Sequence, residues 1–227
     1  MKSAATYQID RAEVLRYLGY GGQQLDPVFS ERLDEAIGRC QAVSNPAFTY
    51  RIFPVCASQD GVHLAGTTLV LGGDDVAGHL AGARECAVMV ATAGLSNERE
   101  LQRLSCLNGL DAMLFDAAGS ALVEAVADAC NAQVAQDGRD RGLFAKWRFS
   151  PGYGDFPLGI QPQIIRVLAA DRKLGVTATE SSLLIPTKSV TAFVGLFDTP
   201  QDDARSCDRC SFAAHCKMKR EGTPCYR

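Results

Sequence analysis

Apolar residues over positions 10–43 repeat every three or four residues on either side of a Gly-Gly pair. This spacing places the apolar side chains along one face of a helix, and paired glycines interrupt such a helix. The pattern therefore predicts two amphipathic helices at the start of the chain.

Extended segments follow the first two predicted helices. Residues 48–55 and 63–71 are rich in β-branched and aromatic side chains and are bounded by Pro, Gly and Asp, which is typical of strands. Two aspartates can cap a short helix over 74–84, and the apolar run 86–93 predicts another strand. Strand, helix and strand in such a short stretch predict a parallel crossover. We therefore expect an α+β fold, with a mixed, twisted sheet flanked by helices.

The second half of the chain continues this alternation. A helical repeat over 97–135, interrupted by two glycines, predicts one long bent helix or two packed helices. A further helix is predicted over 160–172. Residues 182–185 are expected to pair with 190–196 in a hairpin around a Pro-Thr-Lys turn.

Composition and charge narrow the class of protein. With 227 residues, of which 47% are hydrophobic, the chain can bury one sizeable core and carry a small appendage. A formal charge of −3 argues against nucleic acid as the main partner. The sequence has no apolar run of the roughly 20 residues that a membrane span needs, and its start lacks a signal pattern. We expect a cytoplasmic protein.

The nine cysteines form two groups. Five occur singly in apolar stretches, where a free cysteine behaves as a small hydrophobic residue, and are expected in the core: Cys40, Cys56, Cys86, Cys106 and Cys130.

The other four cysteines, Cys207, Cys210, Cys216 and Cys225, fall within the last 21 residues. Since the cytosol disfavours structural disulfides, these thiolates predict a metal site, either a [4Fe-4S] cluster or tetrahedral zinc. A disordered tail with free or regulatory thiols is the alternative. We divide the chain into a main domain, 1–198, and a cysteine-rich tail, 199–227.

The most unusual segment is 148–157, which holds two Pro, two Gly, aromatic residues and both signs of charge. Proline lacks an amide donor and glycine permits a positive φ, so this loop should turn sharply and let a ligand approach its backbone. Arg148 supplies a planar fork of donors that suits a carboxylate, and Tyr153 supplies an aromatic face with a hydroxyl group. An ordinary turn with a surface arginine is the alternative.

Two motifs in this region resemble a known family. Arg148 to Tyr153 reads Arg-Phe-Ser-Pro-Gly-Tyr, and a predicted helix and then Thr179-Glu180-Ser181-Ser182 follow. This order resembles the activation domain of cobalamin-dependent methionine synthase, whose pattern is Arg-Pro-Ala-Pro-Gly-Tyr and later Thr-Glu-Ser. The clear match covers about 120–197, and residues 1–118 are more similar to free-standing relatives of that domain.

The resemblance implies binding of S-adenosylmethionine. It assigns the ligand contacts to Glu124, Arg148, Ser150, Gly152 and Tyr153. Arg148 would pair with the methionyl carboxylate, and Glu124 would pair with the α-amino group or offset the sulfonium charge. Tyr153 would lie near the sulfonium or the ribose.

Two acidic positions are left open by the resemblance. The family's N-terminal aspartate that contacts the ligand has no secure counterpart in this chain. Asp155 replaces a neutral residue of the family pattern, and it either contacts the ligand or, as we favour, is a carboxylate used within the turn.

The activity implied by the resemblance is reductive methylation of a corrinoid. One electron together with a methyl group from S-adenosylmethionine restores the methyl-Co(III) form of a cobalamin held by a partner protein. Because cobalt is the nucleophile, we expect no catalytic side chain, only positioning of the methyl donor.

We therefore expect a reactivation protein that acts in trans. Its partner would be a methionine synthase or another corrinoid protein, and a flavodoxin or ferredoxin type of donor would supply the electron. A metal-binding redox sensor or interaction module is the alternative, and a methyltransferase acting on a small thiol or amine is a weaker one.

Overall fold

The computed structural model describes residues 7–58 and 61–201. A central sheet and a small separate ribbon contain the eight strands of this part of the chain: β1 (Ala47–Ser58), β2 (Gly61–Leu64), β3 (Val70–Leu71), β4 (Glu85–Thr92), β5 (Phe144–Ala145), β6 (Thr177–Ala178), β7 (Leu184–Ile185) and β8 (Ser189–Phe197). The central sheet has the order β3-β2-β1-β4-β8-β5, and β6 and β7 form the ribbon.

Helices cover both faces of the central sheet. They are α1 (Arg11–Tyr17), α2 (Pro27–Val43), α3 (Asp74–His79), α4 (Leu95–Leu107), α5 (Gly109–Arg139), α6 (Gln161–Leu168) and α7 (Ala170–Leu174). Helices α1, α2, α4 and α5 share one hydrophobic core with the sheet, and α3, α6 and α7 share the other. The prediction of an α+β fold with a sheet flanked by helices is confirmed.

Strand β4 lies at the centre of both cores. Its residues Ala87, Met89 and Ala91 belong to the core under α5, and Cys86, Val88 and Val90 belong to the core under α6. Successive side chains of a strand point to opposite faces, so a strand covered on both sides reads as one continuous apolar run.

The predicted mixed sheet is wrong in one respect, because every strand pair in the described sheet is antiparallel. The segment predicted as one strand over 63–71 turns back on itself between β2 and β3. There Gly66 has φ 75°, the Thr67 hydroxyl donates to the Leu64 carbonyl at 2.7 Å, and the Leu69 amide donates to that hydroxyl at 3.0 Å. This extra reversal makes β3 and β4 antiparallel, so no parallel crossover forms.

The helical repeat over 97–135 is divided into two helices, one of the two predicted arrangements. Asn108 separates α4 from α5, and its side chain caps α5 by accepting from the amides of Leu110 at 3.0 Å and Asp111 at 3.3 Å. Helix α5 then continues through the second glycine, Gly119, which is buried against Asn97.

The hairpin predicted between 182–185 and 190–196 is wrong. Strand β7 pairs with β6, whereas β8 pairs with β4 and β5. Thr179 closes the β6–β7 turn, because its amide donates to the Leu183 carbonyl at 2.8 Å and its hydroxyl accepts from the Leu183 amide at 3.0 Å. Because this turn pairs residues 184–185 with β6, they do not pair with β8.

The cysteine prediction holds for three of the five single positions. Cys40, Cys86 and Cys130 are buried, but Cys56 and Cys106 are exposed. Cys106 lies two residues after the buried Leu104 in α4, so it points to the opposite side of that helix.

The cysteines Cys207, Cys210, Cys216 and Cys225 lie outside the described residues. Among residues 7–58 and 61–201, no group of His, Cys, Asp and Glu side chains could hold a metal ion. Nor does any helix in this part of the chain have the length and apolarity to cross a membrane.

Candidate functional site

Helix α5 presents two carboxylates on one face. Glu124 and Asp128 are four residues apart, which places their side chains one above the other on the helix surface. Much of the surrounding helix is buried, including Leu122, Val123 and Val126. The two carboxylates therefore reach the molecular surface from a helix whose neighbouring residues are largely in the core.

Arg148 reaches these carboxylates from the edge of the sheet. After β5 the chain continues beside β8, and Phe149 and Phe193 exchange backbone hydrogen bonds of 2.9 and 2.8 Å. Phe149 packs on the core beneath α3 and α6. Because neighbouring side chains of an extended chain alternate, Arg148 points to the opposite side, toward α5.

The guanidinium of Arg148 bridges both carboxylates. Its Nη2 donates to Glu124 Oε2 at 2.6 Å, and its Nη1 donates to Asp128 Oδ1 at 2.5 Å. The Arg148 side chain is only 12% exposed, compared with 40% for Glu124 and 71% for Asp128. We call these three residues the arginine cluster: its cation is buried and its two anions reach solvent.

Charges within the arginine cluster keep Arg148 protonated. Burial acts to lower the pKa of Arg148, but the hydrogen bonds and negative charges of Asp128 and Glu124 outweigh it and raise that pKa above its ordinary value. Burial raises the pKa of the neighbouring Cys130 thiol to about 12, against the opposing charge of Arg148, so this thiol is neutral at physiological pH. The arginine cluster therefore carries a net charge of −1.

Helix α1 borders the arginine cluster. Burial and then the negative charge of Glu124 raise the pKa of Tyr17, which places this phenol in the electrostatic field of the site. Beside it, Arg16 pairs with Glu13 at 2.9 Å, and the guanidinium carbon of Arg16 lies 4.6 Å from the centre of the Tyr17 ring. Since Arg16 pairs with Glu13 and Arg11 pairs with Asp34 of α2, the charged residues of α1 leave the net negative charge of the cluster unchanged.

The loop after Arg148 exposes backbone and an aromatic ring. Gly152 has φ 92°, which favours glycine, and its amide donates to the Phe156 carbonyl at 2.8 Å. The Tyr153 amide donates to the Ser150 carbonyl at 3.3 Å. Phe156 anchors the turn in the core, whereas Tyr153 is 57% exposed. A ligand near Arg148 would thus meet an exposed glycine, whose amide is already used within the turn, and a phenol ring.

Asp155 has a structural role at the other end of this loop. Its carboxylate accepts from the backbone amides of Asp74 at 2.6 Å and Asp75 at 3.0 Å, which are the first two residues of α3. The Asp155 amide in turn donates to the Asp75 carboxylate at 3.1 Å. The Asp155 carboxylate is thus used structurally, as in the favoured alternative, but its partners are the amides of α3 and not those of its own turn.

Aromatic rings support the backbone that carries Arg148. The ring of His79, at the end of α3, lies 4.4 Å from the ring of Trp147 and 5.1 Å from that of Phe149, measured between ring centres. Because the residues on both sides of Arg148 pack against this ring, the backbone from which the Arg148 side chain extends is held in place.

The structure brings together some of the residues predicted for the site. Glu124 and Arg148 are in direct contact, and Ser150, Gly152 and Tyr153 follow Arg148 in the same loop. Sequence reasoning missed Asp128. The signal was present in its four-residue separation from Glu124 on a predicted helix.

The second motif has a different place in the molecule. Thr179 and Ser181 lie in the β6–β7 turn, where their hydroxyl oxygens are 2.9 Å apart, and Ser182 has φ 63°. In the described structure these residues shape a hairpin.

The architecture defines an α+β protein with an antiparallel sheet between two layers of helices. Its fold is that of the MetH reactivation domain: the crystal structure of that domain bound to AdoHcy superposes with a TM-score of 0.66. The match covers 97% of this chain and 83% of the other, at 16% sequence identity. The resemblance stated from the two motifs is confirmed at the level of the fold. No family model and no curated protein matches the sequence.

Proposed function

We propose that this protein binds S-adenosylmethionine at the arginine cluster and the adjoining loop. The contact that carries the proposal is the bridge from Arg148 to Glu124 and Asp128, made at the first residue of the Arg-Phe-Ser-Pro-Gly-Tyr motif. The AdoHcy bound to the structural neighbour supports a ligand of this class.

Each group in the proposed site has a distinct role. Arg148 forms a charge-assisted hydrogen bond with the methionyl carboxylate, and Glu124 accepts one from the α-ammonium group. To bind the ligand, Arg148 must give up some of its present contacts. Asp128 is the contact most easily given up, because its exposed carboxylate can be rehydrated by solvent. Ser150 and Gly152 let the turn come close to the ligand without a large side chain between them, and Tyr153 lies near the sulfonium or the ribose.

The proposed activity is reactivation of a corrinoid protein by reductive methylation. A separate donor, of the flavodoxin or ferredoxin type, supplies one electron to convert Co(II) to Co(I) on the partner. The bond between sulfur and the methyl carbon then breaks, the methyl group passes to cobalt as methyl-Co(III), and a neutral thioether leaves. This chain contributes binding and orientation of the methyl donor, because cobalt on the partner is itself the nucleophile.

Binding of the methyl donor is tested by calorimetry with S-adenosylmethionine. Since hydrogen bonds to charged groups contribute about 1.5–3 kcal/mol, Arg148→Ala should weaken binding by about tenfold to hundredfold. Arg172→Ala, at an exposed arginine of α7, is the matched control and should bind like the wild type. Absence of binding by the wild type, or equal binding by Arg148→Ala, would contradict the proposal.

The partner requires its own experiment. We propose a methionine synthase or another corrinoid protein, encountered in the cytoplasm. A pull-down with S-adenosylmethionine present should recover a cobalamin-containing polypeptide, and Arg148→Ala should reduce its methylation by this protein. Recovery of no corrinoid protein would leave a methyl-donor protein with a different acceptor.

For the tail, 199–227, we propose metal binding by Cys207, Cys210, Cys216 and Cys225. The Cys-x2-Cys spacing at its start supports this role. A visible absorbance band that bleaches on reduction would indicate a [4Fe-4S] cluster and an electron-transfer function. A colourless protein with stoichiometric zinc would favour the alternative of a metal-binding interaction module, and a metal-free tail would exclude both.

A further inference from the structure

Asp128 is the one member of the arginine cluster to which the proposed function gives no partner on the ligand. Its carboxylate contacts Arg148 Nη1, and its side chain is 71% exposed. When the methionyl carboxylate pairs with Arg148 and the α-ammonium pairs with Glu124, those four charges cancel. The charge of Asp128 then remains unbalanced beside the bound ligand.

The methyl donor and its product differ in charge at one atom. In S-adenosylmethionine the sulfur is a sulfonium cation, so the molecule has a net charge of +1. Transfer of the methyl group leaves the bonding electron pair on sulfur, and S-adenosylhomocysteine is a neutral thioether with a net charge of zero. A site with a net charge of −1 therefore separates the two by electrostatics.

We infer that Asp128 provides the negative charge by which the site favours the sulfonium donor over the spent thioether. This inference rests on the proposed function. The neighbouring Glu13 and Arg16 form an ion pair and the Cys130 thiol is neutral, so these groups leave the charge of Asp128 uncancelled. The consequence is directional: the donor is held, and the product is released once its charge is lost.

The test compares two ligands on one variant. Asp128→Asn removes the charge but retains an oxygen that can accept from Arg148. Calorimetry with S-adenosylmethionine and with S-adenosylhomocysteine should show the preference for the donor falling by about twofold to fivefold, the size expected for a solvent-exposed ion pair. Asp140→Asn is the matched control, because this exposed carboxylate lies just past the end of α5, about 18 Å from Asp128 along the helix axis, and should leave the preference unchanged.

The ratio of the two affinities separates charge from positioning. If Asp128 only holds Arg148 in place, Asp128→Asn weakens both ligands equally, the ratio stays constant, and the inference is overturned. Failure of the wild type to bind either ligand would instead overturn the proposed function. Far-ultraviolet circular dichroism checks that the variant is folded.

The wild type offers a second readout that needs no substitution. Raising the ionic strength from about 0.01 M to about 1 M shortens the Debye length from about 30 Å to about 3 Å. The preference for the sulfonium donor should shrink over this range if the exposed Asp128 charge sets it. A preference that is independent of salt would count against the inference.

Discussion

Two charged residues at opposite ends of one loop, Arg148 and Asp155, have different kinds of partners. Arg148 is bound by two side-chain carboxylates that reach solvent, whereas Asp155 is bound by two backbone amides at the start of α3. Side-chain partners can rotate away and be rehydrated when a ligand arrives. Backbone amides are fixed by the helix they begin.

The comparison shows how one short segment serves both binding and folding. The Arg148 end offers charges that a ligand can exchange, and the Asp155 end fastens the loop to the start of α3. Phe156, which is 1% exposed, anchors the same end in the core. The exchangeable site thus lies on a loop that is rigidly attached at its far end.

The largest expected effect is on the Asp155 end, from Gly73→Ala. Gly73 has φ 120°, and an added Cβ would lie 2.7 Å from Asp155 Oδ1. Strain at this φ and loss of the contact should lower the free energy of unfolding by about 3 kcal/mol, measured by urea denaturation. Gly73 immediately precedes α3, and Gly78 lies within that helix with open space around an added Cβ. Gly78→Ala should therefore raise the free energy of unfolding by about 0.5–1 kcal/mol. Equal effects of the two variants would contradict the fixed role of this end.

The second prediction removes the carboxylate itself. Asp155→Ala leaves the amides of Asp74 and Asp75 without their acceptor and should lower the free energy of unfolding by about 1–2 kcal/mol. Asp155→Asn retains one oxygen and should lose less. Affinity for S-adenosylmethionine should change by less than about twofold, well under the tenfold that corresponds to about 1.4 kcal/mol. A large loss of affinity at unchanged stability would instead make Asp155 a ligand contact.

The third prediction concerns Arg148, at the other end of the loop, where we expect affinity to change more than stability. Arg148→Lys keeps the charge but offers one nitrogen in place of a planar fork, so it cannot bridge Glu124 and Asp128 as arginine does. Affinity for S-adenosylmethionine should fall by about tenfold, which is about 1.4 kcal/mol, while the free energy of unfolding should fall by less, about 0.5–1 kcal/mol, because the buried cation loses one of its two carboxylate contacts. Arg172→Lys serves as the control. Unchanged affinity would show that the fork geometry is not used.

Much of the fold was predictable because the spacing of apolar residues along the chain indicates whether a segment is a helix or a strand. The helices at 11–43, strand β4 and the break before Gly109 all follow from spacing and capping residues. The pairing and direction of the strands were harder to predict from the sequence. A turn of a few residues at Gly66 reversed one strand and removed the predicted parallel crossover, because direction depends on the number of turns rather than on residue type.

The candidate site was also only partly predictable from the sequence. The motif led to Arg148, and the family resemblance led to Glu124, whose contact with Arg148 the structure contains. Asp128 was missed because its importance depends on which face of α5 meets the sheet edge, a tertiary property. Cys56 was misplaced for a related reason, since which face of β1 an isolated cysteine occupies depends on the register of pairing.

The smallest expected effect concerns the second motif, through Thr179→Val. Thr179 accepts from the Leu183 amide within the β6–β7 turn. Loss of this hydroxyl at a partly exposed site should lower the free energy of unfolding by about 0.5–1 kcal/mol and leave affinity for S-adenosylmethionine unchanged, because the hydrogen bond shapes only the hairpin. Thr177→Val, at an exposed position of the same ribbon, is the control for the change in side chain. If Thr179→Val weakens binding while Thr177→Val does not, the hairpin contacts the ligand. The interpretation that Thr179 only shapes the hairpin is then wrong.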